Sequence, residues 1–214
     1  MTKLQQLLKD RLLLGSLAAA YGAFALTFRG PRTQFWDRMT LTGLALGSLS
    51  LKAEPDLRKT RIVPKDVALG LASAAGLYVV FQIGDRIARV ILPKGGSEIE
   101  AIYSLRRLRS KRELATRLLT IVGPAEELFW RGVVQHHFMK IFGKPVGALL
   151  GTAAYGGAHI VTGNFTLLGA ATVAGGYWGM LSAAGMSTGA LIVSHAAWDV
   201  TIFLIAPTMA VTEE

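Results

Sequence analysis

From Pro145 to Trp198 the chain contains not one Asp, Glu, Lys or Arg. A helix crossing a bilayer needs about 20 predominantly apolar residues, so this stretch alone has room for two crossings. The 214-residue sequence is 51% hydrophobic before its 24 glycines are counted, and 17% charged; soluble domains carry about 25% charge. These figures exclude a disordered chain and argue against an ordinary soluble domain. Backbone groups in hydrocarbon must be satisfied within the protein, and no alternating barrel pattern occurs. The expected fold is all-α: one polytopic membrane helix bundle over residues 1–214, with six or seven transmembrane helices.

Every Lys and Arg lies at or before Lys144, and the net charge is +9. So basic a chain invites comparison with nucleic-acid binders. Here, however, the basic residues fall in loops between apolar runs, where membrane proteins place them. The expected surroundings are a lipid bilayer, in which the protein is integral, with no nucleic-acid partner. The absence of cysteine excludes a disulfide scaffold, a thiolate zinc site and a cysteine nucleophile.

The first expected span is Leu12–Phe28. Lys3, Lys9 and Arg11 before it also suit a signal peptide, with Ala23-Phe24-Ala25 as a cleavage site, but the later apolar runs demand a membrane protein in either case. Met39–Leu51 is uncharged yet short, and either spans or is re-entrant. Val67–Gly84 is a span that can continue to Leu92. Lys94–Arg117 is the largest polar loop. Leu114–Phe142 is apolar but encloses Glu126, Glu127 and Arg131. Further spans follow at Val146–Val161, Leu167–Leu181 and Leu191–Ala210. Gly43/Gly47, Gly147/Gly151 and Gly175/Gly179 are small-residue pairs of the kind that lets membrane helices approach closely.

Each ionisable residue inside a membrane costs about 2.5–3.5 kcal/mol or more to insert, which makes it a functional candidate. Glu127 and Arg131 stand at i and i+4 and can pair on one helix face. Glu126 is rotated about 100° away and has no basic residue at i+3 or i+4, which suits a general base. Pro124 either begins a helix here or kinks a longer one. His195 and Asp199 are again i and i+4. His159 stands alone in Tyr155-Gly156-Gly157-Ala158-His159. His136 and His137, beside Lys140, are assigned to the interface.

Together these residues carry a resemblance. Glu126-Glu127-Leu128-Phe129-Trp130-Arg131 resembles the Glu-Glu-x-x-x-Arg motif of the CPBP family, the CAAX-processing and bacteriocin-processing intramembrane proteases, also called Abi proteins and related to the Rce1-type prenyl endopeptidase. Tyr155 to His159 resembles the family's Phe-x-x-x-His, with tyrosine for phenylalanine. His195 to Asp199 resembles its His-x-x-x-Asn, with the aspartate variant. The motifs occur in family order within residues 114–200.

The resemblance implies an intramembrane endopeptidase acting on a membrane-associated peptide or protein. Glu126 would activate water, His159 would help to hold it, His195 and Asp199 would stabilise an oxyanion, and Glu127 and Arg131 would brace the site. No cofactor is expected. The alternative of a zinc ion held by the two histidines, Glu126 and Asp199 has no His-Glu-x-x-His helix to support it. The other functional alternatives are a non-catalytic binding, immunity or scaffold protein of the same family, and a proton-conducting bundle.

Overall fold

The computed structural model describes residues 1–208, and no strand occurs among them. The helices are α1 (Lys3–Lys9), α2 (Arg11–Arg29), α3 (Phe35–Ala53), α4 (Pro64–Ile91), α5 (Gly95–Tyr103), α6 (residues 111–142), α7 (Lys144–Ala158), α8 (Phe165–Ala183) and α9 (Thr188–Ile205). Of these, α2, α4 and α9 are long and apolar enough to cross a membrane. The last residues of the expected span Leu191–Ala210, Met209 and Ala210, lie outside the described residues.

Contacts at the helix ends set the topology. His137, near the end of α6, lies 2.6 Å from Asp10 before α2 and 2.9 Å from Glu54 after α3. Ser187 before α9 donates to Asp66 in the first turn of α4 at 2.5 Å. At the opposite end, Asn164 before α8 donates to the Glu98 carbonyl of α5 at 2.9 Å, and Tyr103 at the end of α5 meets Thr208 at 3.1 Å. So α2, α4, α7 and α9 run one way, and α3, α6 and α8 run back.

The apolar run at Met39–Leu51 belongs to a 19-residue helix, Phe35–Ala53. Its charged first turn is tolerated because Asp37 pairs with Arg109 at 2.8 Å and Arg117 at 3.0 Å. Lys94–Arg117 is not an open loop. It forms α5, a 3₁₀ turn and the start of α6, and α5 docks by burying Ile99 and Tyr103. The amino-terminal segment belongs to the bundle, since Leu13, Ala20 and Phe24 of α2 join the cluster containing Trp130 and Tyr155.

Between helices in lipid, close approach rather than apolar burial drives association. The three glycine pairs mark where this happens. A Cβ on Gly47 of α3 would meet the Ala125 Cβ at 3.3 Å, one on Gly151 of α7 the Gln135 Cβ at 3.0 Å, and one on Gly175 of α8 a Tyr155 ring carbon at 2.7 Å. Two of these contacts hold α6, one against α3 and one against α7. At a further close approach, where a Cβ on Gly123 of α6 would stand 3.0 Å from Ala196 Cα of α9, Glu127 comes beside His195.

Candidate active site

Helix α6 is continuous from 111 to 142 but not uniform. It widens to π geometry at Leu118–Val122 and again at Glu127–Gln135, with one α turn, Gly123–Glu126, between. Pro124 therefore lies inside a longer helix rather than at a helix start. It has no N–H for the carbonyl four residues back, and the ladder loosens just ahead of it. Short π segments inside α-helices accompany functional sites often, and this one carries Glu127 and Arg131.

Glu126 and Glu127, adjacent in the chain, point into different surroundings. Glu127 is fully buried. Its Oε1 lies 3.1 Å from Arg131 Nη1 and 2.7 Å from His195 Nδ1. The Arg131 contact is an ion pair by distance without hydrogen-bond alignment, and Glu127 Oε2 has no partner. The guanidinium lies 4.8 Å from the Tyr155 ring centre and 5.4 Å from that of Trp178, and Nη2 donates to the Gly175 carbonyl at 3.4 Å. Cation–π contacts of this kind are worth about 0.5–2 kcal/mol when desolvated. Glu126 forms no ion pair among the described residues. Its Oε2 accepts a single hydrogen bond, from the Tyr155 hydroxyl at 2.8 Å.

His159 is held by the end of α7. The helix tightens there, so that the His159 N–H bonds to the Gly156 carbonyl and the Tyr155 carbonyl loses its ordinary partner. That carbonyl takes the imidazole Nδ1 at 3.0 Å. A carbonyl only accepts, so Nδ1 carries the proton, and Nε2 of the neutral ring is an acceptor. The ring is wedged edge-on against Phe24 and Tyr155, at 5.1 Å and 5.2 Å between centres.

His195 stacks on Trp178, with ring centres 3.9 Å apart and planes 19° apart. The Trp178 indole N–H donates to Ser194 Oγ at 3.0 Å, and Ser194 donates to Ser73 of α4 at 2.9 Å. Asp199 Oδ2 stands 3.7 Å from His195 Nε2, beyond hydrogen-bond length. The partner suggested by i, i+4 spacing is thus the more distant one. The acceptor in contact with the imidazole is Glu127, from another helix.

Glu126, Tyr155, His159, His195 and Asp199 all line one cavity of about 700 Å³. Glu127 and Arg131 do not reach it and lie behind its wall. The facing wall is apolar, formed largely by Val80, Ile83 and Ile87 of α4 and by Phe165 and Val173 of α8. His136 and His137 stand apart, at the far end of α6. Among the described residues, no three His, Asp or Glu side chains converge as metal ligands do, so the residues do not fit the zinc arrangement. Three contributors have no signal in the sequence: Trp178, Ser194 and Ser73 look like ordinary residues of apolar runs.

The comparison with protein families bears directly on this cluster. Residues 113–201 match the family described as Type II CAAX prenyl endopeptidase Rce1-like. The matched span holds all three motifs, and the family it resembles consists generally of intramembrane proteases. It takes in α6 through most of α9. The cavity wall supplied by α4 lies outside the Rce1-like span. No curated protein and no solved structure matches the chain.

Proposed function

We propose that the chain is an intramembrane endopeptidase that hydrolyses a peptide bond with water activated by Glu126. One observation carries the reading. Four polar side chains from three helices, Glu126, His159, His195 and Asp199, line a single cavity whose other wall is largely apolar. In this mechanism a water sits between the Glu126 carboxylate and His159 Nε2. Glu126 takes its proton as the oxygen attacks the substrate carbonyl carbon, and the carbonyl π electrons move to oxygen. His195 acts as the imidazolium: Nδ1–H is held by the Glu127 carboxylate, and Nε2–H is presented to that oxyanion. Glu126 then returns the proton to the departing amine as the C–N bond breaks. Asp199, at the cavity edge, orders the approach to His195.

The bundle is proposed to cross the membrane seven times, which the alternating run of α2, α3, α4, α6, α7, α8 and α9 supports. The family name makes a prenylated peptide ending in a CAAX box the first substrate to try. The resemblance makes the plasma membrane of a bacterium or archaeon the proposed setting.

The test is turnover of a fluorogenic farnesylated CAAX peptide, and of its unprenylated counterpart, by purified wild type and Glu126→Gln. Loss of a general base costs about 10²–10⁴-fold in rate. Near-normal cleavage by Glu126→Gln would sink the assignment. Tight peptide binding with no cleavage by the wild type would favour the non-catalytic alternative.

A further inference from the structure

We infer that Tyr155 is a positioning residue that holds both water-handling groups of this site, fixing Glu126 through its hydroxyl and His159 through its main-chain carbonyl. The inference rests on the endopeptidase reading above. In the motif that residues 155–159 resemble, this position is phenylalanine, so the hydroxyl is an addition. A buried phenol needs a partner. The one it finds is Glu126 Oε2, at 2.8 Å.

The ring delivering that hydroxyl is locked. It meets Trp130 edge-on at 5.4 Å and His159 edge-on at 5.2 Å. The Arg131 guanidinium covers it at 4.8 Å. Gly175 leaves no space for a side chain against it, since a Cβ there would stand 2.7 Å from the ring. Donor direction is therefore set by packing. Glu126 makes no other side-chain hydrogen bond among the described residues, so Oε1 is left for a water in the cavity. The donor is also neutral. A cation in its place would hold the carboxylate as an ion pair and weaken it as a proton acceptor.

The main chain of the same residue completes the arrangement. Because α7 tightens at His159, the Tyr155 carbonyl is free to take Nδ1 at 3.0 Å, turning Nε2 outward as an acceptor. One residue thus sets the angle of the base and the tautomer of its companion. A general base depends on such alignment, since a misplaced proton acceptor loses rate steeply.

Tyr155→Phe removes only the oxygen and keeps the ring packed. With wild type, Glu126→Gln and Tyr155→Phe compared on the farnesylated fluorogenic peptide, kcat of Tyr155→Phe should fall about tenfold, the equivalent of one lost hydrogen bond to a charged group, with KM changed less than about twofold. Infrared difference spectra in detergent give a readout independent of turnover. The carboxyl band that disappears in Glu126→Gln should shift in Tyr155→Phe. An unmoved band, or a kcat equal to wild type while Glu126→Gln is dead, overturns the inference and leaves the endopeptidase reading standing. A loss of kcat without a band shift makes Tyr155 structural only and also overturns it. Turnover by Glu126→Gln, or a wild type that cleaves neither peptide, removes the reading and the inference with it.

Discussion

The cavity-facing layer and the layer behind it use the same residue types in opposite ways. Behind the wall, Glu127 contacts a guanidinium and an imidazole and is fully buried. At the wall, Glu126 has one neutral donor and an open side. Successive residues on a helix are turned about 100° apart, so two neighbouring carboxyls face different partners with no change of chain direction. The difference teaches how a membrane protein can keep one carboxylate underpartnered. The rear carboxylate shares one oxygen between its cation and His195, while the front carboxylate borrows only a hydroxyl.

The strongest way to break this contrast is Arg131→Ala. It leaves Glu127 buried without its cation and removes the charge beside the Tyr155 and Trp178 rings. Breaking a buried pair from one side costs about 3–5 kcal/mol. Glu126→Gln, which keeps an acceptor for Tyr155, should leave the unfolding midpoint within about 1 kcal/mol of wild type. Thermal unfolding of the two variants in one detergent decides. Equal midpoints would mean that the rear layer is not the structural one.

A smaller effect is expected from Trp178→Phe. The substitution keeps a ring under His195 but deletes the indole N–H, leaving Ser194 bonded to Ser73 alone. A lost buried hydrogen bond with poorer stacking costs about 1–2 kcal/mol. If Trp178 serves the rear layer, as its contacts with Arg131 and His195 indicate, stability falls while KM for the peptide holds. A changed KM with an unchanged midpoint would move Trp178 to the cavity layer instead.

The sequence made the helices legible because charge marks their ends. Arg11 and Arg29 bracket an apolar run and become the two ends of α2. It failed where charge is neutralised in space. Asp37 looks like the end of a span until Arg109 and Arg117, more than seventy residues later, pair with it. In the site, Glu127 and Arg131 were readable as a pair from spacing alone. The partner of His195 was not. Spacing offers Asp199, at 3.7 Å, but the close approach of Gly123 to Ala196 brings in Glu127, at 2.7 Å. Trp178 was invisible for the same reason, since aromatic residues are common in membrane spans and nothing local ties position 178 to 195.

Glu98 sharpens the comparison at the least cost. Like Glu126 it is held by neutral donors, here the Thr166 hydroxyl at 2.7 Å and the Thr166 N–H at 2.8 Å, but it lies on α5 and is only half-buried. Those two bonds hold its carboxyl below the ordinary 4.5. The folded value is depressed, so the contribution is fully present above the unfolded value and is lost as pH falls through the folded one. Glu98→Gln keeps an acceptor and loses the charge, and at this partly exposed site the penalty should be only about 0.5–1 kcal/mol at pH 7. As pH falls through the depressed folded value, the wild type becomes protonated and loses the same advantage, and the two midpoints should converge. Melting of wild type and Glu98→Gln at pH 7, 5 and 3.5 measures it. A gap that persists unchanged into acid would show that shape rather than charge docks α5 to the first turn of α8, and that neutral donors at Glu98 do not select the ionised carboxylate.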